Sequence, residues 1–190
     1  MRRIALVGDI GSGKTFFSSL FKYPVFNADL VVSNLYQKDK FLFRKIKKKF
    51  PNKISNFPIK KEELLKVIFH RQKNLNVLGK IIHPIVRKTM QNFLKKNRKK
   101  KFVVLDIPLF LENRLNEKKD IIIFIEADKK KINQKLKKRK NINPKLINIL
   151  KRNQLSVRFK KKKSTYVIKN NFVRNTAKKN VSLIMKEINK

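Results

Sequence analysis

Residues Gly8-Asp9-Ile10-Gly11-Ser12-Gly13-Lys14-Thr15 fit the pattern G-x-x-x-x-G-K-[ST]. Glycines at these intervals let the backbone follow a tight path with its N–H groups turned inward, a nest for phosphate oxygens. A helix opening near Gly13 adds the positive end of its dipole. Lys14 reaches the β- and γ-phosphates as a point charge, and the Thr15 hydroxyl is a ligand for Mg²⁺. The expected ATP-binding stretch is Gly8, Gly11, Ser12, Gly13, Lys14, Thr15 and Phe16. The chain has four glycines, and three of them lie in this loop. A sequence so poor in glycine keeps it where backbone must approach phosphate. Asp9 is the discordant residue: a carboxylate in a phosphate nest repels unless it turns outward, toward solvent or a basic neighbour.

Phosphoryl transfer also needs a group to accept the proton of the attacking hydroxyl and cations to offset charge on the phosphoryl group. Only 12 acids are available. Asp29 follows a short apolar run and reads two ways, as a proton acceptor beside the loop or as the N-cap of a helix starting at Leu30. Asp106 ends the run Phe102–Leu105, where a carboxylate would hold Mg²⁺ directly or through water; its other reading is a turn residue. Arg139 lies in a basic helical segment, as a lid cation or a solvated charge. His83 reads as a satisfied, partly buried histidine, and His70 has no supporting context. The two make a poor metal site, and no Ser-His-Asp or Cys-His arrangement can be assembled.

The elements that must position these residues are legible in the apolar pattern. Ile4–Val7, Pro24–Asn27, Phe102–Asp106, Ile121–Ile125 and Tyr166–Ile168 read as short buried strands. Phe16, Phe17, Leu20 and Phe21 mark a helix stopped by Pro24. Residues from about Asp29 to Lys101 are helical and strongly charged, with a kink or break expected at His83-Pro84. Lys129 to about Lys163 is helical and very basic, restarting at Pro144, and Val181, Ile184, Met185 and Ile188 mark a final helix. Alternation of this kind implies an α/β fold, a parallel sheet with helices on both faces and ligands at the carboxyl ends of its strands.

Composition bounds the rest. A chain of 190 residues with 41% apolar content builds a substantial core. The absence of cysteine excludes disulfides and thiolate metal sites, and no apolar run is long enough to span a bilayer, so a cytoplasmic protein is expected. The net charge of +39 fits a nucleic-acid or anionic-surface partner, or simply a lysine-rich solvated surface. Basic residues spread over the whole chain favour the second reading. Non-specific nucleic-acid binding would then be a by-product of charge.

The motifs together resemble the bacterial dephospho-CoA kinase family, over Ile4 to about Asn170. The loop matches its G-x-I-G-S-G-K-[ST]. Asn27-Ala28-Asp29 is similar to its D-A-D with the first Asp replaced, and Ile59–Phe69 to its I-D-R-x-x-L-x-x-I-V-F. His83-Pro84-Ile85-Val86-Arg87 resembles its H-P-x-[IV]-R, Pro108–Glu112 its P-L-L-x-E, and Leu136–Arg139 its lid R-L-x-x-R. The resemblance implies a P-loop NTPase-type sheet formed by residues 1–30, 101–128 and 164–190. It also implies a helical CoA-substrate insert over 31–100 and a basic lid over 129–163. By the same resemblance, Asp29 is the general base for the ribose 3′-hydroxyl of dephospho-CoA, and Lys14 and Arg139 act on the ATP phosphates. His83, Arg87, Pro108, Glu112 and Asp29 meet the acceptor, Thr15 and Asp106 hold Mg²⁺, and the enzyme works as a monomer. Three departures stand out: Asn27, Lys135 at a lid arginine position, and Ser164–Asn170 in place of A-D-x-V-I-x-N-x-G, with Phe172 where that pattern has its last glycine.

Overall fold

A computed structural model describes residues 1–138 and 143–190. Five strands form one parallel sheet: β1 (Arg2–Gly8), β2 (Val25–Asn27), β3 (Phe102–Asp106), β4 (Ile121–Ala127) and β5 (Tyr166–Asn170), in the order β2-β3-β1-β4-β5. Every residue of β3 is buried, as are the first five of β4, which explains their unbroken apolar runs: a strand covered on both faces has no polar side to alternate. The carboxyl ends of β1, β2 and β3 share one rim, and the loop, Asn27 and Asp106 lie on it.

Two compact units are present, Met1–Asn27 with Asn97–Lys190, and Ala28–Lys96. In the first, α1 (Lys14–Leu20) and α9 (Arg174–Asn189) cover the sheet with Phe17, Phe21, Ala177 and Val181 in the core. The basic segment divides into α6 (Lys129–Lys137), α7 (Pro144–Arg152) and α8 (Val157–Lys162). Their amphipathic pattern is cut at caps: Asp128 accepts from Lys131 N, Asn143 from Lys145 N with Pro144 at the first turn, and Ser156 from Phe159 N.

The second unit is all helix: α2 (Ala28–Lys38), α3 (Lys40–Lys49), α4 (Lys61–His70) and α5 (Lys73–Lys96). Two expectations change here. The first helix begins at Ala28 rather than Leu30, so Asp29 is not its cap but sits in its first turn, where the dipole favours a carboxylate. Of the kink or break expected at His83-Pro84, the break does not occur. Helix α5 continues through Pro84, which is exposed, so the freed carbonyl one turn earlier is accessible to water.

Two ion pairs of Arg3 tie the start of the sheet to the segment leading into β4. Arg3, 7% exposed, donates to Asp120 Oδ2 at 2.7 Å, to the Leu115 carbonyl at 2.9 Å and to Glu117. Burial pushes the Asp120 carboxyl above its ordinary value, while the Glu117 N–H and the Arg3 guanidinium partly offset this. Replacing Arg3 with Met would leave that carboxylate buried and uncompensated, at about 3 kcal/mol. Protonation of Asp120 is easier in the fold than in the unfolded chain, so the deficit should shrink as pH falls toward about 4. Urea denaturation of Arg3→Met at several pH values checks both the size and the trend.

Candidate active site

The glycine loop joins β1 to α1, and its backbone is held open by its neighbours. Gly8 has φ of 151°, and a Cβ there would stand 2.7 Å from the carbonyl oxygen of Ile125 on β4. Gly13 has φ of 98°, and a Cβ there would stand 2.7 Å from Asn170 Nδ2. No side chain fits either position, since one is closed by backbone and the other by a buried amide. That amide anchors the loop: Asn170, at the end of β5, donates from Nδ2 to the Ser12 carbonyl at 2.7 Å and accepts from Phe172 N at 2.8 Å. Ile132 and Leu136 of α6 close over Gly11.

Within this frame Lys14 donates from Nζ to the carbonyls of Gly8 and Asp9, each at 3.0 Å. Asp9 turns away from the nest to a basic neighbour, as expected; its partner is Lys160 Nζ, at 2.7 Å from Oδ1. Ser12 is buried, and its Oγ has no hydrogen-bond partner among the described residues. Thr15 and Phe16 are exposed, Phe16 lying edge-on to Phe17.

Asp106 meets this loop from β3. It is 4% exposed, and burial pushes its carboxyl above the ordinary value, partly offset by the Thr15 hydroxyl, the Lys14 ammonium and the Asn27 amide. Asn27 is its register partner on β2 and donates from Nδ2 to Asp106 Oδ2 at 2.9 Å. A buried carboxylate beside an exposed hydroxyl is a hard oxygen pair, and a divalent cation would favour the ionised form that burial disfavours. Thr15 and Asp106 therefore fit Mg²⁺. The replaced carboxylate at position 27 acquires a reason here: an amide can hold Asp106 in place, where a second carboxylate would repel it.

The other candidates are placed less centrally. Glu112 accepts from the N–H of Leu155 at 3.0 Å, fixing the connection between α7 and α8. Pro108 is exposed just beyond β3. In the helical unit, His83 and Arg87 are exposed one turn apart on α5. The His83 ring lies over Gly79, the one glycine outside the loop: a Cβ there would come within 3.2 Å of the imidazole. Burial against the helix and then the Arg87 guanidinium hold His83 below the ordinary histidine value, so the ring is neutral at pH 7. Asp29 is exposed in the first turn of α2. Arg139 lies outside the described residues.

Sequence reasoning did not single out Lys160, which is one of four consecutive lysines and carries no local signal of burial. Nor did it give Asn170 its grip on the loop. Phe172 is the sharper surprise. Standing where the resembled pattern has glycine, it keeps the left-handed backbone, with φ of 66°, and its ring lies 4.8 Å from Lys135 Nζ. The turn survives because Asn170 caps it from the side.

A family model described as dephospho-CoA kinase matches residues 2–175. A curated dephospho-CoA kinase from the Wolbachia of Brugia malayi is 35% identical over 170 residues, 87% of each chain. One from Bartonella quintana is 31% identical over 173 residues, 88% of each. Among solved structures, TT1252 from Thermus thermophilus superposes with a TM-score of 0.80 at 21% identity, over 98% of this chain and 97% of that one. A dephospho-CoA kinase from Campylobacter jejuni superposes with a TM-score of 0.66 at 19% identity, with the same coverage.

The loop's dependence on bare backbone gives a direct check. Gly8→Ala forces a methyl group against a β4 carbonyl in a conformation that L residues rarely adopt, at about 1–3 kcal/mol of strain. Urea denaturation should show that loss, and calorimetric titration should show ATP binding abolished.

Proposed function

The chain belongs to the dephospho-CoA kinase family and phosphorylates dephospho-CoA with ATP; we propose that the acceptor is the ribose 3′-hydroxyl and that Asp29, Lys14 and Arg139 carry the transfer. The observation that supports this most is the assembly of nest, Lys14, Thr15 and Asp106 on one rim of the sheet. Phosphates seat on the inward N–H groups between Gly8 and Thr15, with the α1 dipole behind them. Thr15 and Asp106 would hold Mg²⁺, which when bound supplies charge neutralisation across the β- and γ-phosphates.

In the reaction the 3′-oxygen forms a bond to the γ-phosphorus, the bond to the β,γ-bridging oxygen breaks, and ADP leaves. Asp29 accepts the hydroxyl proton. It is exposed and stands two residues beyond Asn27 in the chain. Lys14 follows the charge that moves onto the bridging oxygen, and Arg139 supplies a second positive charge for the phosphates. The helical unit Ala28–Lys96 receives the CoA moiety through His83 and Arg87 of α5, and Pro108 and Glu112 are further acceptor-binding residues. His83, neutral at pH 7, contacts the acceptor as a hydrogen-bonding ring rather than a cation. The enzyme acts as a cytoplasmic monomer. Polyanion binding from the +39 charge is weak and disappears at moderate salt.

A coupled assay with ATP and dephospho-CoA, followed by ³¹P NMR of the product, tests the acceptor; phosphate on any oxygen other than the ribose 3′ would overturn the 3′-hydroxyl reading. Asp29→Asn should lower kcat by about 10²–10⁴-fold with ATP affinity retained, as expected for loss of a general base. Near-normal turnover would leave Asp29 with only its helix-dipole role. Lys14→Ala should lower kcat/KM for ATP by at least about 10²-fold and weaken ATP binding in the same titration.

A further inference from the structure

Lys160 is the only lysine among the described residues in the buried class, at 1% exposure. A chain with 51 basic residues has no shortage of solvated positions for lysine, and burying an ammonium is costly without a partner. Its partner is Asp9 Oδ1, at 2.7 Å, in the second position of the phosphate loop. The pair is asymmetric: the Lys160 side chain is 2% exposed and that of Asp9 31%. Lys160 also lines, with Gly8, Lys14, Glu112 and Gln154, a void of about 10 Å³, room for one water at most. The ammonium is thus packed under the loop and aimed at the one carboxylate the loop contains.

We propose that Lys160 is a positioning residue for ATP binding: it cancels the charge of Asp9 and holds that carboxylate off the phosphate path. Without it, a negative charge would stand in the nest that must receive a triphosphate. Because one partner is fully buried, salt screens the effect little, unlike the general attraction of the +39 surface. The inference rests on the reading of this loop as the ATP cradle, which Lys14→Ala tests separately.

The experiment compares Lys160→Met, the double variant Asp9→Asn/Lys160→Met and Lys161→Met in the full chain. It uses calorimetric titration with ATP and steady-state kinetics at low and high salt. Lys161 neighbours Lys160 on α8 and pairs with Glu126 at the surface, so its variant loses the same unit of charge without touching the loop. Lys160→Met should raise the ATP Kd and KM by about tenfold or more at both salt concentrations. kcat and the KM for dephospho-CoA should stay within about threefold, and Lys161→Met should match the unaltered protein. The double variant should return ATP affinity to within about threefold, because no carboxylate is left to neutralise.

Unchanged ATP affinity in Lys160→Met would overturn the proposal. So would a double variant as weak as Lys160→Met, since Lys160 would then act on phosphate directly, and so would a fall in kcat with KM unchanged. Should Lys160→Met fail to fold, the double variant decides: folded and tight supports the proposal, unfolded or weak overturns it. Unchanged ATP affinity in Lys14→Ala would remove the cradle reading, and this inference with it.

Discussion

The structure is organised around one steric constraint: the backbone between Gly8 and Gly13 is pressed on both sides by other backbone and amide groups. Ile125 O on one side and Asn170 Nδ2 on the other each come within 2.7 Å of where a Cβ would stand. Such a path is open only to glycine, and only if β4 and β5 are in register with β1. The pairing of Gly8 with Ile125, and of Ala127 with Asn170, delivers those two contacts. Sheet register therefore fixes the shape of the phosphate nest.

Charge is the second constraint, and it is local rather than global. A surface at +39 attracts any anion, so total charge gives no discrimination. Discrimination comes from where the few acids sit. Asp120 is locked to Arg3 beneath the sheet, Asp9 to Lys160 beneath the loop, and Asp106 to Thr15 and Asn27 on the rim. Each is buried or half-buried and each has a different kind of partner: a guanidinium, an ammonium, or a pair of neutral donors. Burial raises the carboxyl of both Asp106 and Asp120, and at Asp106 the Thr15 hydroxyl, the Lys14 ammonium and the Asn27 amide offset it in part.

How far the sequence revealed this depended on whether the signal was local. The loop, the strands and their parallel arrangement were legible because each is written in a short contiguous pattern: glycine spacing, an apolar run, a Lys-Thr pair. The outward turn of Asp9 could be expected from electrostatics alone. What could not be read were contacts across long sequence separations. Lys160 looks like its three lysine neighbours until α8 is placed beneath the loop, and Asn170 looks like a strand end until Ser12 O appears beside it. At Pro84 a local rule predicts a kink or a break; the break does not occur, because α5 has enough apolar contact, with Leu78, Ile82 and Met90 buried, to carry the helix through.

Phe172 and Asn27 show how a site can change its letters and keep its geometry. At position 172 the left-handed turn normally left to glycine is held by a side-chain cap from Asn170, and the added ring lies against Lys135, itself at a changed lid position. At position 27 an amide replaces a carboxylate, and the neighbouring Asp106 gains a donor in place of a repulsive charge. In both cases the altered residue contacts a retained one. The backbone path is thus kept at position 172, while at position 27 the charge around Asp106 changes and a hydrogen bond to it is made. A loop this tightly bounded by β4 and β5 tolerates substitution at its supports more readily than at its own glycines, because a support can be replaced by another group of the right polarity, while a Cβ at Gly8 has nowhere to go.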